Sequence, residues 1–139
     1  MTQHINLCPI QSLCTTTPSG TNLASSANPV AIDTIVRDGD NWAIKYSDGW
    51  IEQGGYKTVS SISNYGEVAV TFNSSIDNEN VAFTTAPNYV HCTPVYTGIT
   101  TGGEFTLYGV ESVSSTGFTY RKTDRNTVLS GFYWTAKGI

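Results

Sequence analysis

The stretch NWAIKYSDGWIEQGG, Asn41 to Gly55, decides how the rest of the chain is read. Two short runs of aromatic and branched residues flank Asp48-Gly49, a dipeptide favoured in two-residue type I′ hairpin turns. Such a turn sets Ser47 opposite Trp50, Tyr46 opposite Ile51, Lys45 opposite Glu52, Ile44 opposite Gln53 and Trp42 opposite Gly55. Side chains alternate along a strand, so Trp42, Ile44, Tyr46, Ile51 and Gln53 then share one face. That face reads as core, with Trp42 lying across Gly55. Ala43, Lys45, Ser47, Trp50, Glu52 and Gly54 share the other face, where Lys45 and Glu52 form a cross-strand pair. Trp50 is a large aromatic on this polar side. Three readings of it stand side by side: packing beneath a loop of its own chain, burial against a second subunit, and a stacking platform for a sugar. A subunit seam would take Lys45 and Glu52 with it.

Working outward from the hairpin, further strand-like runs are EVAVTF (Glu67–Phe72), VAFTT (Val81–Thr85) and NYVHCTPVY (Asn88–Tyr96). EFTLYGV (Glu104–Val110), GFTYRK (Gly117–Lys122) and GFYWTAK (Gly131–Lys137) follow. Pro94 marks an edge strand or a bulge, because proline cannot donate to a ladder. In the last run Phe132, Trp134 and Ala136 point one way, and Tyr133, Thr135 and Lys137 the other. NSSIDNEN (Asn73–Asn80) reads as a loop. About eight short strands punctuated by Gly, Asn and Ser predict an all-β antiparallel sandwich over residues 38–139. Residues 1–37 differ: CTTTPSGTNLASSANP has no periodicity and reads as an extended connector, while VAIDTIV (Val30–Val36) suits a strand or a helical turn.

Charged residues are 13% of the 139-residue chain and the formal net charge is −4. With no basic stripe, a nucleic-acid partner is not expected. Hydrophobic residues at 39% suffice for a core in a single domain. The N-terminus has neither the basic start nor the apolar run of a secretory signal, and no segment is long enough to insert in a membrane. The expected history is synthesis in the cytoplasm, without export. Cys8, Cys14 and Cys92 read as reduced thiols, since three is an odd number without framework spacing. No metal or cofactor is expected: His4, Cys8 and Cys14 would need a distant fourth ligand to hold zinc.

Catalytic chemistry finds no foothold in the sequence. His91 and Cys92 are adjacent on a strand and therefore face opposite ways. Nothing pairs Glu52, Glu67, Glu104 or Glu111 into a facing carboxylate couple. DGDN (Asp38–Asn41) and DNEN (Asp77–Asn80) lack calcium-loop spacing and read as turns. Binding residues are expected on loops carried by the sandwich: 55–65, 73–80, 97–103 and 121–130. The first offers Tyr56 and Tyr65 as stacking rings among Ser and Asn donors. The last holds Arg121, Lys122 and Arg125, suited to an acidic polysaccharide or to a solvated turn.

Two segments together carry a family resemblance. The first is Trp42, Tyr46, Asp48, Gly49, Trp50, Ile51, Glu52, Gln53, Gly54 and Gly55; the second is Tyr133, Trp134, Ala136, Gly138 and Ile139 at the chain's end. SVSSTGFTYRK (Ser112–Lys122) adds a penultimate-strand phrase. Residues 38–139 thus resemble the C-terminal head domain of bacteriophage tail fibres. The resemblance implies a homotrimeric β-sandwich tip on a virion, whose loops touch a host-surface glycan or outer protein, without catalysis. Residues 1–37 would then attach the head to other virion proteins. The alternatives are a structural virion decoration or head fibre without a receptor, and a monomeric carbohydrate-binding module.

Overall fold

A computed structural model describes residues 30–62, 65–99, 108–123 and 127–139, and these are all-β. Ten strands follow in order: β1 (Ile32–Asp38), β2 (Asn41–Tyr46), β3 (Ile51–Ile62), β4 (Gly66–Thr71), β5 (Ser75–Ile76), β6 (Glu79–Asn80), β7 (Tyr89–Ile99), β8 (Tyr108–Glu111), β9 (Gly117–Lys122) and β10 (Thr127–Gly138). One sheet has the order β1-β2-β3-β10-β7 and a second the order β4-β9-β8, with β5-β6 a separate small hairpin. All pairings are antiparallel.

β10 organises the molecule because it pairs with β3 on one side and β7 on the other. Its alternation sends Leu129, Phe132, Trp134 and Ala136 into the core and leaves Tyr133 exposed. The core joins these to Ile51, Val70, Phe72, Cys92, Phe118 and Tyr120, so the two sheets face each other across it. Tyr120 of β9 stacks on Phe132 of β10 with ring centroids 4.3 Å apart. Phe72 lies 5.6 Å from Trp134, the rings tilted at 45°, within the range of centroid distances at which aromatic pairs attract. Pro94 is accommodated because β7 is the sheet's outermost strand.

The opening hairpin differs from expectation by one residue. Gly49 N–H donates to Tyr46 O (3.0 Å), and Tyr46 N–H donates to Trp50 O (2.9 Å). The loop is therefore Ser47-Asp48-Gly49, three residues long. Gly49 alone takes the left-handed conformation, at φ +91°, while Asp48 Oδ1 accepts from Trp50 N–H (3.1 Å). A type I′ turn needs both central residues left-handed, and a carboxylate bonded two residues ahead favours the three-residue alternative. Trp42 now opposes Gly54, Ile44 opposes Glu52, and Lys45 opposes Ile51. The one-residue slip reverses β2 against β3: Ile51 and Gln53 point inward as expected, now with Ala43, while Trp42, Ile44 and Tyr46 join Glu52 on the outer face.

The double glycine serves both tryptophan layers. A Cβ on Gly54 would sit 2.7 Å from the Trp42 ring on the outer face. On Gly55 it would meet Trp134 Nε1 at 3.2 Å and Asn41 Oδ1 at 2.6 Å. Gln53, fully buried, clamps the segment beyond β4. Its Nε2 donates to Val81 O (2.9 Å) and Asn73 O (3.3 Å), and its Oε1 accepts from Asn73 N–H (2.9 Å). That holds β5-β6 in place, where Ile76 and Val81 pack with Ala43 in a second small core.

Other expectations shift too. NSSIDNEN holds a tight hairpin, with Asp77 and Asn78 both left-handed at φ 49° and 66°. VAFTT is irregular, although Val81 and Phe83 are buried. VAIDTIV is strand, and β1 pairs with β2 from Ile32 onward, so the sheet begins before residue 38. The polar connector before it lies outside the described residues.

Candidate functional site

β4 and β9 pair with Glu67 opposite Arg121, and Gly66 opposite Lys122. Alternation along β9 turns Tyr120 and Lys122 inward and Arg121 outward. Lys122 is accordingly 0% exposed, which removes it from the surface where the sequence reading placed it. Tyr65, two residues before Glu67, and Thr123, two after Arg121, fall on the same outer side. Tyr65, Gly66, Glu67, Arg121, Lys122 and Thr123 line one open depression of about 560 Å³, within the size range of small-ligand sites. Tyr65 is 60% exposed there.

The guanidinium of Arg121 is held from two sides. Its Nη2 bonds Glu67 Oε1, and its Nε lies 3.0 Å from Glu111 Oε1. On the β8 side the residue opposite Arg121 is Gly109, where an added Cβ would meet nothing within 4 Å. Two carboxylates around one guanidinium give the group a net negative charge.

The remaining candidates divide. Tyr56 lies on the opposite side of the molecule, on the outer face of the five-stranded sheet. There it meets Tyr133 with ring centroids 4.8 Å apart. Arg125 lies outside the described residues. The Lys45–Glu52 pair does not form, because the shifted register sends the two side chains to opposite faces. Lys45 Nζ instead stands 4.0 Å from Glu79 Oε2. Glu52 pairs with Lys137 at 3.0 Å and accepts from the Tyr46 hydroxyl at 3.1 Å. Burial, then that bond to Glu52, raises the Tyr46 hydroxyl above its usual range. Trp50, 37% exposed, flanks the hairpin loop.

The outer face of the five-stranded sheet is rich in rings. Tyr89 stacks on His91 at 6.2 Å, on the same face as Tyr133 and Tyr56. Exposed Ile35 opposes Ile44 at the β1 end. His91 and Cys92 do face opposite ways, His91 outward and Cys92 fully buried. Sequence reasoning missed Glu67, Glu111 and Thr123 as neighbours of Arg121. Strand alternation in EVAVTF and GFTYRK carried the signal for the faces. The Glu67 partnership depends on register between segments more than fifty residues apart, which no local pattern encodes.

No protein-family model matches the sequence, and no curated protein matches it. Solved structures do. The chain is similar to an N-truncated R1-type pyocin tail fibre, with a TM-score of 0.59 at 22% identity over 80% of this chain and 86% of the other. It is also similar to C-terminal fragments of two P. aeruginosa pyocin fibres. For the R1 fibre the TM-score is 0.57 at 20% identity over 87% of this chain. For the R2 fibre it is 0.53 at 14% identity over 100% of this chain. The chain spans 33% and 37% of those longer fragments. The described β-sandwich thus has the fold found in the C-terminal region of R-type pyocin tail fibres.

Proposed function

We propose that this chain is the tip of a phage or phage-like fibre, a virion-associated protein that attaches to a host-surface glycan or outer protein. The observation that carries the reading is the fold shared with pyocin tail fibres. The depression at Tyr65 and Arg121 supports it, because it sets an exposed ring beside polar groups on a rigid sheet, as glycan sites require. The direct test adds the fluorescently labelled full chain to a panel of bacteria. Saturable adsorption, displaced by unlabelled protein, is the expected result. Absence of saturable adsorption across hosts that carry the corresponding particle defeats the attachment role and leaves a structural virion component.

The tip acts as a homotrimer in this reading, joined through the outer face of the five-stranded sheet. Ile35 at 66% exposure and Tyr133 at 58% are the residues a monomer would leave wet. The Glu52–Lys137 ion pair on that face is internally neutral, so these two charges enter an interface already paired. The sequence reading put the seam on the face of Trp50, with Lys45 and Glu52; the face proposed here keeps Glu52, while Lys45 points away from it. Light scattering should give a mass near three chains, and Tyr133→Lys should lower it while leaving the far-ultraviolet circular dichroism unchanged. A Tyr133→Lys protein of unchanged mass places the seam elsewhere.

A further inference from the structure

A tyrosine ring packs as any core residue does, but its O–H still requires a partner when buried. Two such hydroxyls meet inside the sandwich. Tyr96 lies on β7 opposite Leu129 of β10, turns inward and packs against the core. Tyr120 lies on β9 and is 0% exposed. Its ring is held between Tyr108 at 5.5 Å and Phe132 at 4.3 Å, each pair within 15° of parallel. The Tyr120 hydroxyl therefore cannot swing out to solvent.

The hydroxyls of Tyr96 and Tyr120 are both buried, and neither has a hydrogen-bond partner among the described residues. They nevertheless act on each other. Burial raises the Tyr120 hydroxyl well above its usual range, and the Tyr96 hydroxyl is the next largest cause. The two oxygens thus lie near one another without the geometry of a direct bond. Left unpaired, each would forfeit its solvation in full, which native cores avoid. Water has the chemistry to serve both, since it donates and accepts at once, and each phenol offers one donor and free lone pairs. Cys92, fully buried, also acts on Tyr120, and its thiol can supply a weaker third contact.

We infer that Tyr96 and Tyr120 hold one ordered internal water, bonded to both hydroxyls. Buried waters are held in this way, by several polar groups that lack other partners. The site joins β7 of the five-stranded sheet to β9 of the three-stranded sheet. It is a polar link between layers that meet mainly through apolar and aromatic side chains. The attachment reading plays no part in it and is untouched by its failure.

The test is a set of high-resolution crystal structures and thermal midpoints for the full chain, Tyr96→Phe, Tyr120→Phe and the double variant. Wild-type density should show one water within about 3 Å of both oxygens. Each single variant should lose the bridge and melt about 3–6 °C lower. The double variant should fall short of the sum of the two losses, because both changes remove one shared bridge. The sign of the shift separates the readings. A hydroxyl without any partner costs stability, so removing it would leave the midpoint unchanged or raise it. That result overturns the inference. A direct bond between the hydroxyls, or a dry gap between them in the wild-type density, overturns it as well. Strictly additive losses do the same, since they mean two separate partners. Should a variant fail to fold, the wild-type density alone decides.

Discussion

Replacing Gln53 by Leu keeps most of its volume in the core and removes the amide. Three backbone groups lose their partner: Val81 O, Asn73 O and Asn73 N–H. Val81 is fully buried, so its carbonyl bears the larger desolvation cost, about 2 kcal/mol. Asn73 is half-buried, and water can take up part of its loss, leaving about 0.5–1 kcal/mol for each of its two groups. The sum is a destabilisation of about 3–4 kcal/mol. With a urea slope of about 2 kcal/mol/M, the unfolding midpoint should fall by roughly 1.5–2 M at fixed protein concentration. Gln53→Glu sharpens the test. One carboxylate oxygen still accepts from Asn73 N–H, but the other then confronts two carbonyl oxygens that the amide had been donating to. At neutral pH this variant should be less stable than Gln53→Leu. Protonation restores a donor, so its folded form holds the proton more tightly than its unfolded form. Its deficit against wild type should therefore shrink as the pH falls towards 4. Hydrogen exchange should lose protection at Asn73 before any residue of β10. A Gln53→Leu protein within about 0.5 kcal/mol of wild type would refute the clamp, as would a Gln53→Glu deficit that ignores pH.

Two further perturbations follow from packing. Gly55→Ala should cost about 1–3 kcal/mol by overpacking against Asn41 and Trp134, less about 0.4–1 kcal/mol from a stiffer unfolded chain; a shifted Trp134 emission would accompany the loss, and a stabilised variant would contradict the close approach. Burial pushes the Cys92 thiol up from 9.0 to about 12. The folded state then keeps a proton that the unfolded state releases, so stability should decline as pH rises from about 9 towards 12. Cys92→Ala should flatten that decline, and peptide mapping should find Cys92 unalkylated by iodoacetamide until the protein unfolds; rapid native alkylation at Cys92 would contradict its enclosure.

Much of the fold was legible where periodicity was long. GFYWTAK separates inward Phe132, Trp134 and Ala136 from outward Tyr133, Thr135 and Lys137, and the structure separates them the same way. Pro94 marked an edge, and β7 is one. Ile51 and Gln53 were read as inward and are, but the faces of β2 were misread because Asp48-Gly49 suits both a two-residue and a three-residue loop, and the choice turns Trp42, Ile44 and Tyr46 to the other side. The same logic hid the Asp77-Asn78 hairpin, whose strands of two residues each are too short to show alternation. At the candidate site, adjacency in sequence suggested that Arg121 and Lys122 act together on the surface, whereas adjacency on a strand sends Arg121 outward and Lys122 inward. Tyr56 and Tyr65, nine residues apart in one segment, end on different sheets because β3 terminates at Ile62 and the chain crosses to β4. Glu67 and Glu111 entered only through register.

β1 is hydrogen-bonded on one side alone, and Val36 is its contribution to the small core. Its leading end is fastened by a clasp between Ala31 and Ser47, 2.9 and 3.1 Å long. Tension arriving through the residues that precede it would therefore act on an edge strand running antiparallel to its neighbour. Such a strand yields by peeling, one bond after another, rather than by shearing all of them together. Ala31 and Ser47 would part first, then Ile32 and Tyr46. Releasing seven residues at about 3.3 Å each yields roughly 23 Å of slack before β10, paired on both sides, has to separate. Under such tension that strand is a mechanical fuse ahead of the core.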